Sequence, residues 1–354
     1  MKYLKLILVF SFLNLIEAKA QHFIPGQFFY PVIEKGKYGF INSTGQWMIN
    51  PKFEWCDYFY EGRAIAKEKG KYGFINVKGE WISKNDYDTV KHFSEGLAPV
   101  GEISEDGNLY WEYIDTAGIK LNLKVPALAN LTNFNNGRAS ALEAGILNFF
   151  FFKKNGDIAF EMKNFYLDEN RMAAFSEGLL HVYHSDGRST FIDTLGRNWG
   201  FGDFENCGDF HNGMAWFQSN TRYGFVNSKG QIIVPAEYDS VGDYSDGIAL
   251  VKVKMTYDPE TIKMKGGMVE YIDKEGKKVT PPIYTNGSSF SDGFAFVKYN
   301  GLYGFIDKYG KVVIDFQFED GTNFFRGLAY VKKENHWEYI NTNGNKVFCF
   351  LLPE

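Results

Sequence analysis

The stretch Lys37-Tyr38-Gly39-Phe40-Ile41-Asn42-Ser43-Thr44-Gly45 recurs, with variations, through the rest of the chain. Near copies run from Lys71 to Gly79, Arg222 to Gly230 and Leu302 to Gly310. Each copy reads as a short aromatic and β-branched strand entering a Gly-closed turn, followed by a second apolar run such as Gln231-Ile232-Ile233-Val234. Two glycine series set the period. The hairpin glycines are Gly45, Gly79, Gly118, Gly156, Gly196, Gly230, Gly276, Gly310 and Gly344, separated by 34, 39, 38, 40, 34, 46, 34 and 34 residues. The second series closes an aromatic-x-x-Gly turn at Gly62, Gly96, Gly137, Gly178, Gly213, Gly247, Gly293 and Gly327. A repeat at this period means an array in which each unit buries its apolar face against its neighbours.

The aromatic share of 18% suits pleated, half-buried surfaces, and 37 Gly against 10 Pro suits turns made at positive φ. One unit reads from Gly293: Phe294-Ala295-Phe296-Val297 as a first strand, Tyr303-Gly304-Phe305-Ile306 as a second, and Val312-Val313-Ile314 as a third. The expectation is an all-β protein of about nine tandem β-hairpin units near 26–59, 60–93, 94–134, 135–175, 176–210, 211–244, 245–290, 291–324 and 325–354. Nine thin units favour an open curved or spiral array with propeller-like local geometry; a closed β-propeller is the alternative.

Three regions depart from the regular pattern. Trp111-Glu112-Tyr113, Phe149 to Phe152 and Ser189 to Asp193 replace the aromatic-Gly-Phe core in the central units. The hairpin glycines around the segment from Met255 to Met268 lie 46 rather than 34 residues apart, and insertions in repeat arrays go to loops on one face. At the N-terminus, Lys2 and Lys5, the apolar run from Leu6 to Ile16, and Ala18-Lys19-Ala20 before Gln21 form a secretory signal peptide over residues 1–20, imperfect at Asn14 and Glu17. The mature chain, residues 21–354, is then expected as one exported repeat domain, periplasmic or secreted to the cell envelope. The residue directly after the cleavage site is Gln21 rather than Cys, and no later stretch has the length of a membrane span.

The repeated core, Lys-aromatic-Gly-Phe-Ile-Asp/Asn-x-x-Gly and then aromatic-x-x-Gly-small-Ala, resembles the WG (KWG) repeat family of bacterial proteins. The resemblance runs from about Gly26 to Val347, with Tyr38, Tyr72, Tyr223 and Tyr303 where that family typically has Trp. It implies an all-β repeat domain used for binding or scaffolding, with no catalytic residue to carry over.

The residues themselves point the same way. A formal charge of −5 and a pI of about 5.8 give no electrostatic reason for nucleic-acid binding. Cys56 and Cys207 occupy positions that hold Val90, Leu131, Met172 and Val241 elsewhere, so they read as small buried hydrophobes, with no disulfide scaffold. No metal site, cofactor loop or nucleophile motif is present. The residues before the second-series glycines, Glu61, Glu95, Asn136, Glu177, Asn212, Asp246, Asp292 and Arg326, would form a mostly acidic rim suited to Ca²⁺ or a basic partner; ordinary turn chemistry accounts for the same residues. Trp47, Trp55, Trp81, Trp199 and Trp216 lie outside the repeated Tyr-Gly-Phe site, so they are candidate stacking platforms for a glycan or anchors for a protein, with core packing the plainer use. The expected function is a monomeric, non-catalytic binding or scaffold protein. The alternative is a hydrolase-like enzyme drawing on Glu161, Asp168, Glu169, His181 and His184 in the divergent units, or on the 255–268 loop.

Overall fold

The computed structural model describes residues 28–83, 86–121, 128–143, 148–163, 174–184, 187–200, 204–258 and 263–350. Residues 1–20, where the sequence leads one to expect a signal peptide, and Asp168 and Glu169 lie outside them. Every regular element among the described residues is a β-strand, gathered into nine small antiparallel sheets. No helix there is long and apolar enough to cross a membrane. The residues group into two compact units, one ending at Gly200 with five of the sheets and one beginning at Phe201 with four.

A complete sheet has four strands rather than the three read from the sequence. In the second unit, Met214–Ser219, Arg222–Asn227 and Ile232–Tyr238 form the expected meander, and the two-residue strand Asn206–Cys207 adds to its edge through Asn206↔Gln218 and Cys207↔Phe217. Asn286–Gly287 and Asp320–Gly321 do the same for the later sheets. The link between repeats therefore supplies the outermost strand of the next sheet.

Three kinds of turn hold the strands, and each explains a residue preference. At every hairpin glycine except Gly156, which follows Lys153, the side chain three positions earlier accepts two backbone N–H groups: Asn42 Oδ1 those of Thr44 and Gln46, both at 3.0 Å. Asn76, Asp115, Asp193, Asn227, Asp273, Asp307 and Asn341 repeat the pattern. That is why the motif needs Asn or Asp before x-x-Gly. The second-series turns have two central residues at positive φ, for example Glu61 at 50° and Gly62 at 75°, the mirror-image geometry that matches strand twist. The remaining hairpins turn the same way at Lys69–Gly70, Asn220–Thr221 and Asn300–Gly301.

The Gly of Tyr-Gly-Phe answers to a bulge. Tyr303 pairs with Phe318 but Phe305 pairs with Ile314, so the third strand carries two extra residues over Gly304. A Cβ there would stand 2.7 Å from the Ile314 carbonyl oxygen; at Gly39 and Gly224 it would meet the oxygens of Ile49 and Val234 at 2.5 and 2.4 Å. Only Gly lets the bulged strand lie that close.

The cores sit between successive sheets. Phe59, Phe93, Phe134, Phe175, Phe210, Tyr244, Phe290 and Phe324, which lead the second-series turns, are all buried, and clusters such as Phe40, Ile49 and Phe53 with Cys56, Phe59 and Ala64 join one repeat to the next. Cys56 and Cys207 are buried, and burial raises the Cys56 thiol well above its usual range. The hairpin-tip glycines complete the interface: Gly79 rests on Ile49, Gly276 on Val234 and Gly344 on Ile314, each the third strand of the preceding repeat.

Candidate functional site

The rim expected from the sequence is a ladder. The Glu61 carboxylate accepts the N–H groups of Glu95 (2.7 Å) and Gly96 (2.9 Å) in the next turn. Glu95 accepts from Gly137 (3.0 Å), and Asn136 from Gly178 (3.0 Å). In the second unit Asn212 accepts from Gly247, Asp246 from Gly293 and Asp292 from Gly327, all at 2.7 Å. Each side chain thus ties its turn to the backbone of the following one, so these acceptors already have donors. No group of three or more His, Cys, Asp or Glu able to hold a metal ion occurs among the described residues. Burial raises the carboxyl pKa of Asp292, and neighbouring Asp246 adds to the effect against the opposing Gly327 N–H and Arg326.

Other positions show local compensation. Where Glu replaces the Gly of Tyr-Gly-Phe, a Lys eight residues later pairs with it: Glu112 with Lys120, Glu270 with Lys278 at 3.1 Å, and Glu338 with Lys346 at 3.4 Å. The Glu270 side chain is fully buried. Lys91 donates to the Leu131 carbonyl oxygen and lies 4.9 Å above the Trp111 ring; burial lowers its pKa to about 8.

The five candidate tryptophans are half-buried. Trp55 packs against two core clusters and meets Tyr72 edge-on, Trp81 meets Phe53, Trp199 meets Phe191, and Trp216 meets Tyr223. Trp47 lies at the start of the strand Trp47–Phe53, paired with Ile41. Trp55 lies in the sheet that Trp81 borders through its bridge to Ile75, and Trp47 and Trp216 lie in two others. Of the residues considered for catalysis, His181 is buried in the strand Leu179–Tyr183 opposite Phe191, and Glu161 is exposed on Ile158–Lys163.

The clearest concentration of departures from the repeat lies in the second unit. The inserted segment lengthens one hairpin to Ile248–Asp258 paired with Lys263–Asp273, against six-residue strands in the sheets around it. Its base is fixed by Asp239, which accepts the Met255 N–H at 3.0 Å and pairs with Arg222. Beside this arm, where Val269 bridges to Tyr284, three rings gather: Tyr299 lies 5.4 Å from Phe316 and 6.5 Å from Tyr284, and Phe316 lies 6.3 Å from Tyr284.

Tyr284 is a core position, but its surroundings are not repeat requirements. Tyr299 stands where sibling repeats have Glu68, Ser219 and Lys333; Phe316 where they have Pro51 and Ala236. Ile283 replaces Lys52, Glu237 and Gln317, and Leu302 replaces Lys37, Lys71, Arg222 and His336. Ile283, Tyr299 and Leu302 are 41%, 38% and 39% exposed, and Leu302 pairs directly with Tyr299. The sequence reading passed over these four residues. Comparing equivalent positions among the repeats, rather than counting aromatics, would have found them.

The described WG containing repeat matches at residues 38–72, 72–102, 223–254, 271–303 and 303–337. No curated protein sequence matches the chain. Among solved structures, BamB from Moraxella catarrhalis is similar at 13% identity over 78% of this chain and 92% of that one, with a TM-score of 0.38. The WD40 β-propeller domain of Doa1 is similar at 12% identity over 67% and 86%, TM-score 0.30. Hsv2 of Kluyveromyces lactis is similar at 10% identity over 67% and 82%, TM-score 0.35.

Proposed function

Because the chain belongs to the WG-containing repeat family, we propose that it is an exported, non-catalytic binding and scaffold protein that holds a protein or glycan partner on one face of its repeats. The observation that carries this reading is a division of labour among the repeated positions. Turn acceptors and hairpin-tip glycines make the same contacts from repeat to repeat, which fixes the frame. Outward positions vary freely: the residue before the hairpin Gly is Thr44, Lys78, Ala117, Asn155, Leu195, Lys229, Glu275, Tyr309 or Asn343. A constant frame under a variable surface is how repeat proteins present binding faces.

The test is quantitative binding by the mature protein, on a glycan array and by cross-linking in intact envelopes followed by titration of each captured partner. Saturable one-to-one binding without turnover of the partner supports the reading. Chemical conversion of the captured ligand, or saturable binding to neither class, would sink it. Export is checked separately by sequencing the N-terminus of protein recovered from the envelope, which is expected to begin at Gln21.

A further inference from the structure

We propose that the turn Tyr299-Asn300-Gly301-Leu302, with Lys298, is a docking point for a Glu or Asp side chain of a polypeptide partner that carries an apolar side chain beside it. This deepens the binding role above and rests on it.

The other repeats show how a carboxylate is held at this place. Eight residues before the second-series Gly, the regular repeats carry Glu54, Asp88, Glu205, Asp239 and Glu319; Ala129 and Asn170 stand there in the divergent central units. Glu54 accepts the N–H groups of Lys69 (3.0 Å) and Gly70 (3.1 Å) in the turn of the hairpin that follows it. Glu205 accepts from Asn220 at 3.0 Å, and Glu319 from Asn335 at 3.3 Å while pairing with Lys332 at 3.0 Å. In the longer hairpins Asp88 accepts from Ile103 and Asp239 from Met255. Lys332, and after it the Asn335 N–H, holds the Glu319 carboxyl below its usual range, and the N–H groups of Gly70 and Lys69 do the same for Glu54. The arrangement favours the ionised acid.

In the sheet that contains Tyr299, the acid is replaced and its donors are kept. Thr285 stands at the acid position and donates to the Lys298 carbonyl oxygen at 3.4 Å. Asn300 and Gly301 have φ of 48° and 89°, the same turn geometry as Lys69 and Gly70 at 52° and 78°. Lys298 stands where the sister sheets have Lys67 and Lys332, and its ammonium lies 4.9 Å above the Tyr303 ring. Thr285, Asn300 and Gly301 are all exposed, so an acid from outside the chain can reach these donors. Backbone N–H groups of a left-handed turn, joined by an ammonium, form an anion-binding concavity.

The residues around the turn define what accompanies the acid. In the next sheet Lys333 donates to Gln317 at 2.8 Å; Tyr299 and Ile283 replace that polar pair. Leu302, directly opposite Tyr299, replaces Lys37, Lys71, Arg222 and His336. All three are exposed, so the donors are flanked by apolar surface where the sister sheets have polar or charged side chains. A small inorganic anion would use the donors and leave that surface wet, and a neutral sugar would leave the ammonium without a counter-charge.

The test uses the full mature chain and two short fluorescein-labelled peptides that alternate Leu with Ser around one central residue, Glu in one and Gln in the other, followed by anisotropy. The Glu peptide is expected to bind at least about tenfold more tightly, with the difference shrinking as salt rises. Thr285→Glu supplies the sister repeats' acid from the chain's own link; it is expected to cut affinity for the Glu peptide at least about tenfold without lowering the melting temperature. Lys298→Gln installs the residue that Gln218 provides in another sheet and is expected to narrow the preference for Glu over Gln. Equal binding of the two peptides, binding of neither, or an affinity unchanged by Thr285→Glu overturns the docking point. The general binding role is decided separately, by the array and the cross-linking. An acidic hexasaccharide that binds more tightly than the Glu peptide and is lost in Thr285→Glu would also overturn the polypeptide occupant, in favour of an acidic glycan.

Discussion

At the scale of single residues, the turn acceptors show how identity follows from place. Asn136 and Asn212 do the same work as Glu61, Glu95, Asp246 and Asp292, so charge is not required there; an oxygen of the right reach is. Asp292 carries a penalty for its charge, because burial and Asp246 raise its pKa above the ordinary value. A carboxyl whose folded pKa is raised stabilises the fold fully below the unfolded pKa and loses that contribution as pH rises through the folded value. Asp292→Asn keeps the acceptor and removes the titration, so it is expected to raise the melting temperature at neutral pH. The gain should vanish once the pH falls below about 3.9, the unfolded carboxyl value, in paired thermal melts. The pair between the buried Glu270 carboxylate and the exposed Lys278 gives the opposite case. Lys278→Met leaves that carboxylate without its cation and is expected to cost about 1 kcal/mol in urea unfolding, since the cation is solvent-screened. Adding Glu270→Gly, the residue of the regular repeats, should recover most of that loss.

At the scale of the element, the Tyr-Gly-Phe strand and the bulged strand above it form one device. Gly304→Ala drives a Cβ toward the Ile314 carbonyl and is expected to cost about 1–3 kcal/mol, the range for overpacking. Hydrogen exchange should locate the loss in Leu302–Asp307 and Val312–Phe318 and their immediate neighbours, leaving amides of the strand Lys37–Ile41 as protected as before. Much of this element was legible in the sequence, because the glycines, the Asn or Asp before x-x-Gly and the buried aromatics repeat in register. The two-residue edge strands were not. A strand such as Asn206–Cys207 is too short to show alternation, and its place is set by pairing with Phe217 and Gln218. The left-handed residue before each second-series Gly was also hidden, since Glu61 and Arg326 are not residue types that announce positive φ. The ladder escaped because donor and acceptor lie 34 to 47 residues apart. The tryptophans were singled out because they lie outside the repeated Tyr-Gly-Phe site, and four of them pack against neighbouring rings.

For the molecule as a whole, stability is expected to sum over neighbouring repeats, because the clusters each join only adjacent sheets. Urea unfolding followed by Trp fluorescence and by far-ultraviolet dichroism should then give non-coincident transitions, with most of the Trp signal coming from the unit that ends at Gly200. The ladder of turns adds a constraint of its own. Within each unit the inner rungs take an acceptor from one side and offer their own to the other, so the series has a direction, yet these rungs are interchangeable because each presents a Gly N–H to the same kind of oxygen. A gene encoding such a chain can therefore gain or lose a whole period by recombination between copies and still yield a foldable product, whereas a change of half a period breaks a rung on both sides of the scar.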